Sequence, residues 1–383
     1  MSRYVAKHSK PEDIPRKKRG FLSRLFRFIG SLILIIILLA GALIGFLSAT
    51  EYKPADTEDI AFDGDASGKL AAGQPFRIMT WNIGYGALGD NADFFMDGGT
   101  MVKTADEERV RSNLDGILSI VGEEKADIIM LQETDRDSSR SCHVNEYDML
   151  RESLSGYTSG FANNFRVAFL PYPVPPIGKV DSGIATFSSY PVSGAERVQL
   201  PIPFTWPVRM ANLKRCVLVS RLPVEGTDKE LVLFNLHLEA YDDGEGKAAQ
   251  TEMLAELLEA EAQKGNYVIA GGDFNQIFSN ADTDAYPIRE GMWEAGELDV
   301  DQFDGDWQFI MDEKTPSCRS LDQKYEGADK ENFQYYLIDG FIVSGNIKVS
   351  SAATRDKEFK VSDHNPVVMD LELKDTTGES DNE

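Results

Sequence analysis

Gly272-Asp273-Phe274-Asn275 follows directly on the apolar run Tyr267-Val268-Ile269-Ala270, setting a carboxylate and an amide at the mouth of an expected buried strand. Four other polar clusters are expected to follow apolar runs in the same way: Trp81-Asn82, Leu131-Gln132-Glu133, Asn235-Leu236-His237-Leu238 and Ser362-Asp363-His364. Carboxylates, amides and imidazoles in this mix suit cleavage of a phosphate ester. Mg²⁺ prefers oxygen ligands and keeps several waters, so one or two carboxylates suffice to hold it. An attacking water must be aimed and partly deprotonated, and the growing negative charge needs fixed donors.

Each cluster also has a plainer explanation. Glu133 by itself reads as a solvated loop acid, because Glu is mostly exposed in proteins. Asn82 could be a turn-former before Gly84. His237 stands in a strongly apolar strand, where a hydrogen-bonded core histidine is the default. His364 is different, flanked by Asp363 and Asn365 and followed by Pro366. Asp339, in Leu337-Ile338-Asp339-Gly340, could orient that imidazole and keep it charged, since a nearby carboxylate favours the protonated form. His143 lies in Ser139-Arg140-Ser141-Cys142-His143, expected as a surface loop. Gly84, Gly86 and Gly89 form a glycine-rich loop without the lysine of a nucleotide-binding loop.

The order of the clusters carries more weight than any one of them. Asn82, Glu133, Asn235 and His237, Asp273 and Asn275, Asp339, then Asp363 and His364 resemble the endonuclease/exonuclease/phosphatase superfamily over about Phe76 to Leu373. That superfamily includes pancreatic-type DNases, apurinic endonucleases, deadenylases, neutral sphingomyelinases and inositol polyphosphate 5-phosphatases. The resemblance implies a four-layer α/β sandwich of two packed mixed sheets flanked by helices, with the site at one rim. It implies Glu133 as the ligand of Mg²⁺ (Mn²⁺ being the alternative ion), with Asn82 beside the metal-bound waters and Asp363 assisting a metal. Asp273 would orient or deprotonate the water. Asn275 would hold a phosphate oxygen, and His364 paired with Asp339 would stabilise the pentacovalent phosphorus. His237 resembles the histidine that DNase-like and sphingomyelinase-like members set beside the scissile phosphate, with Asn235 as a substrate contact. Asp181-Ser182-Gly183-Ile184-Ala185 matches a Ser-Gly strand that shapes the pocket wall.

The elements needed to position these groups are legible as patterns. Apolar, strand-like runs cover 76–83, 127–131, 183–187, 215–222, 231–238, 267–270, 337–343 and 366–373. Helical spacing of Val110, Leu114, Ile117, Leu118 and Val121 predicts a helix over 104–124, and Leu254, Leu257 and Leu258 predict one over 246–264. Many strands and few helices suggest two packed sheets covered by helices.

Charge divides the 383-residue chain. Residues 1–27 carry nine Lys and Arg against two acids, whereas the whole chain has a net charge of −24, leaving the remainder near −31. Phe28 to Ala49 follows with no charge in 22 residues. As a helix it spans about 33 Å, enough for a bilayer core. The expected organisation is a basic cytoplasmic segment (1–27), a transmembrane helix (28–49), an acidic linker (50–75), the catalytic domain (76–373) and a disordered tail (374–383). Basic residues crowd the N-terminal flank, so the N-terminus stays inside and the domain faces out, single-pass on the cytoplasmic membrane. The rival is a cleaved signal peptide, whose apolar region is usually shorter.

Cys142, Cys216 and Cys318 match no metal spacing. Cys216 reads as a buried free thiol, and Cys142 with Cys318 as a bridge only if the fold brings them together. The acidic domain is poorly suited to grip a polyanion, although Lys214-Arg215 could form a local cationic lip on the substrate. The uncharged loops Leu170-Pro171-Tyr172-Pro173-Val174-Pro175-Pro176-Ile177 and Phe204-Thr205-Trp206-Pro207 either pack as connections, line a cleft or touch a membrane. Phospholipid headgroups, nucleic acid and small phosphorylated molecules all stand as substrates, and no protein partner is deduced. A catalytically silent surface-binding module on the same fold, or a structural membrane protein, are the alternatives to an enzyme.

Overall fold

The computed structural model describes residues 20–375 apart from Asp243. The tail beyond 375 and most of the basic segment expected at the N-terminus lie outside the described residues. Two compact units are present, one up to Ala49 and one from Thr50 onward. The first carries helix α1 (Phe21–Thr50), with mean hydropathy 2.9 and its large apolar side chains mostly exposed. It runs longer than the 22 uncharged residues, because Phe21-Leu22 and Leu25-Phe26 continue the helical sequence.

The second unit contains, in chain order, β1 (Thr57–Asp59), β2 (Pro75–Asn82), helix α2 (Glu107–Glu124), β3 (Ile128–Asp135) and helix α3 (Glu146–Ser153). Next come β4 (Thr158–Leu170), β5 (Gly178–Ser188), β6 (Gly194–Gln199), β7 (Cys216–Pro223) and β8 (Glu230–His237). Helix α4 (Glu245–Ala262) precedes β9 (Tyr267–Asp273), β10 (Gln276–Phe278), β11 (Gly296–Leu298), β12 (Trp307–Ile310) and β13 (Cys318–Arg319). The chain ends on β14 (Tyr335–Tyr336), β15 (Asp339–Ser344), β16 (Ile347–Thr354) and β17 (Val367–Leu373). One mixed sheet has the order β16-β17-β2-β3-β5-β4, and the other β1-β6-β7-β8-β9-β15-β12.

The strands alternate between two cores, which explains their near-continuous apolar runs. Ile78, Ile128 and Met130 of the first sheet pack against Leu233, Ile269 and Phe341 of the second. Their neighbours Met79, Trp81 and Ile129 face the other way, onto Val110, Leu114 and Ile117 of α2 and Leu150 of α3. On the far side, Val232, Phe234 and Val268 meet Leu254 and Leu258 of α4. The result is the four-layer α/β sandwich that the resemblance implied. Helix α2 starts later than its spacing suggested because Asp106 is its N-cap, accepting from Arg109 N at 2.9 Å, and Lys125 ends it in the left-handed conformation.

The acidic stretch 50–75 packs onto this unit. Strand β1 pairs with β6, Leu70 is buried, and Asp63 bridges to Ser159. Sparse apolar residues hid these contacts from a reading that looked for sustained periodicity.

Candidate active site

The two sheets each place a parallel pair at their centres, β2 with β3 and β8 with β9. Parallel strands end at the same edge, so Asn82, Glu133, His237 and Asp273 all emerge on one rim. Antiparallel β15 begins there, which puts Asp339 opposite Asp273, while His237 is opposite Asp273 on the other side. His237, Asp273 and Asp339 thus occupy one rung of the second sheet. Asp363 and His364 come from the segment leading into β17 and not, as the sequence pattern suggested, from the end of an apolar run. Because β17 is antiparallel to β2, its start meets the end of β2. Ser362 Oγ donates to the Asn82 carbonyl at 2.8 Å and Trp81 Nε1 donates to the His364 carbonyl at 2.8 Å, which ties that segment to the rim.

Local backbone conformation aims the side chains. The pairing of β3 with β5 is irregular between Leu131 and Thr134, and Glu133 inside it has φ 52°. Such a bulge redirects a side chain at a sheet edge, and a non-glycine residue in the left-handed region is strained. Asn275 is held likewise at φ 50°. Gly84, at φ 53°, lies where a Cβ would come within 2.9 Å of Asp363 Oδ1, so the turn after β2 needs glycine to let the carboxylate in.

A connected polar network results. Asn82 Nδ2 donates to Glu133 Oε1 at 3.2 Å and to Asp273 Oδ2 at 3.0 Å, while its Oδ1 accepts from Gly84 N. Asp273 Oδ1 accepts from the Asn275 backbone N–H at 2.9 Å. Asp273 Oδ2 lies 3.5 Å from His237 Nε2 and 3.8 Å from His364 Nε2. His364 Nδ1 is 2.8 Å from Asp339 Oδ2, the pairing the sequence suggested.

Burial sets the charges. The Asp273 carboxyl is pushed up to about 7 by burial and by Asp339, against the opposing pull of His364, Asn82 and Asn275. Burial lifts Asp363 to about 6, with His364 opposing and Glu133 adding. Burial also disfavours charge on His364, but Asp339 outweighs it and holds the imidazolium well above the ordinary range. His237 goes the other way: burial, then Arg215 and His364, keep it neutral. Two histidines a few ångströms apart therefore take opposite roles, one a fixed cation and the other a neutral ring.

Glu133, His237, Asp273, Asn275, Asp363 and His364 line one cavity of about 620 Å³. Asn82 and Asp339 hold those groups from outside its lining. Three other candidates are placed differently. Asn235 is fully buried between the sheets, donating to the Ala185 carbonyl at 2.9 Å and accepting from Gln132 Nε2 at 2.8 Å. It joins the sheets and does not meet the cavity. Lys214 turns its ammonium to the carbonyl of Arg209, and burial, partly offset by Glu51, lowers it to about 8. Arg215 does line the cavity, but it bonds Glu239 at 3.3 Å and the His237 carbonyl at 3.1 Å. The expected cationic lip does not form, because both side chains are taken by neighbours of their own strands and loops. His143 is exposed and bonded to Asp137 at 2.6 Å. All three cysteines are free thiols, so Cys142 and Cys318 form no bridge.

Some cavity residues had no sequence signal. Cys318 bridges by backbone to His364, and burial pushes its thiol up to about 12. Arg140 lies 3.7 Å over the Tyr85 ring and grips Asp135 through two hydrogen bonds. Asp97 accepts from Tyr241 Oη at 2.8 Å. Ser182, by contrast, was expected at the pocket wall from the Ser-Gly strand, and it lines the cavity and accepts from Arg140 at 3.1 Å.

The donor set fits a hard cation. Four carboxylates, Glu133, Asp273, Asp339 and Asp363, meet at the rim, and burial penalises the charge of Asp273 and Asp363 unless a cation answers it. Asp273, Asp339 and His364 bring ligand atoms within 4.8 Å of one another, as do Cys318, Asp363 and His364. His237 Nδ1 and Asp339 Oδ1 are buried without a hydrogen-bond partner. Oxygen donors at Glu133 and Asp363 match Mg²⁺ or Mn²⁺ better than a thiolate metal, since the Cys318 thiol is held protonated.

The model of the Endonuclease/Exonuclease/phosphatase family matches residues 79–364, most of the chain. The chain belongs to that family, and the activity class that goes with it is hydrolysis of phosphate esters. Among solved structures it is similar to an endonuclease/exonuclease/phosphatase from Beutenbergia cavernae DSM 12333, with 20% identity, a TM-score of 0.54, and 79% of this chain and 72% of the other covered. It is also similar to ANGEL2, a 2',3'-cyclic phosphatase, with 14% identity, a TM-score of 0.51, and 82% and 99% covered. The human Nocturnin catalytic domain aligns at 18% identity and TM-score 0.46, over 82% and 98%. The first two likenesses show the shared fold. A comparison with curated proteins finds no match.

Proposed function

We propose that this domain is a divalent-cation-dependent hydrolase of phosphate esters, carried on the outer face of the cytoplasmic membrane by α1. The observation that carries the catalytic half is the meeting at one rim of Asn82, hydrogen-bonded to both Glu133 and Asp273, with His364 whose Nε2 lies 3.8 Å from Asp273. Helix α1 supports the membrane half by length and hydropathy, and the nine basic residues before Phe28 support an inside N-terminus.

Glu133 and Asp363 would hold Mg²⁺, which when bound neutralises phosphate oxygens and lowers the pKa of water. Asp273 takes the proton of the attacking water. A carboxyl lifted to about 7 is basic enough for that task, and Asn82 and Asn275 fix its orientation. The His364 imidazolium, locked by Asp339, meets the negative charge that grows on the phosphorane. Neutral His237 presents its ring on the other side of Asp273. Asn275 has one amide hydrogen engaged by the Leu238 carbonyl, leaving the other for a phosphate oxygen.

The test is hydrolysis of aryl phosphodiesters and monoesters by the full-length protein with Mg²⁺, and with EDTA as control. Asp273→Asn and His364→Ala should each lose about 10²–10³-fold or more in kcat with little change in thermal melting. Absence of turnover on every ester, with the fold intact, favours a silent binding module on the same scaffold.

A further inference from the structure

The cavity has two unlike walls. Besides the carboxylates and imidazoles, it is bounded by Phe94, Phe95, Tyr172, Phe204, Tyr241 and Trp293. These rings are coupled: Phe94 to Phe95 with centroids 4.8 Å apart, Phe95 to Tyr172 at 5.9 Å, and Tyr241 to Trp293 at 6.3 Å. The Tyr241–Asp97 hydrogen bond links the two groups. A wall of this kind binds apolar bulk, and phosphate has no use for it.

The cationic groups tell the same story. No lysine lines the cavity among the described residues, and only three arginines do. Arg140 is spent on Asp135 and Arg215 on Glu239. Arg319 has no carboxylate partner, but it is buried and donates to the carbonyls of Leu88, Gly89, Ala92 and Ser320. All three guanidiniums are thus engaged within the protein, and among the described residues the cavity has no series of free cations for successive phosphates. A nucleic-acid strand, by contrast, is held by a series of Lys and Arg on successive phosphates.

The mouth extends the apolar wall outward. The loops 170–177 and 201–208 contain no charged residue, and both contribute to the cavity lining, through Leu170, Tyr172 and Ile177 in one and Phe204 in the other. Beyond the lining they expose Val174 (92%), Trp206 (59%) and Val208 (58%), while Tyr172 is 69% exposed. Soluble proteins seldom display such a group around a mouth unless something covers it, and Trp and Tyr favour the bilayer interface.

We propose that the substrate is a phosphodiester lipid taken from a bilayer surface, with the two uncharged loops seated in the interface and the lipid's apolar part against the aromatic wall. This rests on the hydrolase reading above and narrows it. In the reaction the water oxygen bonds to phosphorus, one phosphorus–oxygen ester bond breaks, and the departing alkoxide takes up a proton. A phosphomonoester and an alcohol result, with no redox change. A bilayer suits the loops because α1 in the same chain is long and apolar enough to cross one. It also suits the acidic domain, which has no basic track for a polyanion.

The experiment uses the full-length chain reconstituted in vesicles of equal parts phosphatidylcholine and phosphatidylglycerol, with Mg²⁺. Phosphorus NMR follows loss of lipid phosphodiester, and bis(para-nitrophenyl) phosphate and single-stranded DNA are assayed in parallel. The double variant Val174→Asp, Trp206→Asp should lower the ratio of lipid to aryl-diester rates by about tenfold or more, the order set by losing one large buried apolar contact. The aryl-diester rate of the same sample reports folding. DNA cleaved faster than lipid, or an unchanged ratio in the double variant, overturns the lipid assignment and leaves the hydrolase reading standing. Failure to turn over any of the three esters overturns both.

Discussion

The polar and aromatic parts of the cavity lining are built on different terms. Most of the polar wall is fixed by hydrogen bonds: Asn82 bridges two carboxylates, Asp339 holds His364, and Asn275 holds Asp273. Its residues come from strand ends, where the backbone is rigid. The aromatic wall comes from loops and short helical turns, and its outermost side chains stand in solvent. The difference separates two tasks. Bond breaking requires charges held to fractions of an ångström, whereas recognition of apolar bulk tolerates adaptable contacts.

Changes on the two walls should therefore fail differently. Glu133→Gln is expected to cost about 10²–10³-fold in kcat for every ester, because the loss falls on the transition state. Trp293→Ala should cost about tenfold and chiefly in KM, since it removes apolar binding while leaving the proton path alone. Equal kcat losses from both, measured on one aryl diester, would erase the distinction. Asn235→Leu tests the structural support behind the polar wall. It strips hydrogen-bond partners from Gln132 and the Ala185 carbonyl, so a loss of about 3 kcal/mol is expected in denaturant unfolding, with kcat of the folded fraction retained.

The smallest effect concerns the link between the aromatic groups. Asp97 is raised to about 6, first by burial, with the Tyr241 hydrogen bond opposing and Asp363 and Glu133 adding. Its folded pKa lies above its unfolded one, so the folded state binds more protons and this group loses stability as pH rises from about 4 through 6. Asp97→Asn should thus raise the melting temperature at pH 8 and give no gain at pH 4. A gain at both values would mean that charge on Asp97 is not what costs stability.

Much of this was legible in the residues. The central strands are apolar on both faces, and their ends carry the chemistry, so Asp273, His237 and Glu133 could be read from position alone. His364 with Asp339 was legible because so few histidines exist and one sits among acids. The missed strands lie at or next to the sheet edges: β4 and β16 are edges, with Asn, Gly and Ser in one and Lys and three Ser or Thr residues in the other, and β6, holding Glu, Arg and Gln, is covered only by the short edge strand β1. Edge strands bury only part of their surface, so no apolar period marks them. Asn235 looked like a site residue because an amide near a histidine at a strand end has the same one-letter pattern whether it faces a cavity or the neighbouring sheet. Lys214 and Arg215 looked like a lip because their partners, a backbone carbonyl and Glu239, are fixed by loop geometry that no spacing reveals.

The most direct measurement is the Mg²⁺ dependence of bis(para-nitrophenyl) phosphate hydrolysis by the EDTA-stripped full-length protein, wild type beside Glu133→Gln. The account predicts no turnover without ion and saturable recovery in wild type. It also predicts a half-saturating Mg²⁺ concentration about tenfold or more higher in the variant, as expected when a charged ligand becomes neutral. Full turnover in the stripped protein, or identical ion dependence in the two proteins, would contradict it.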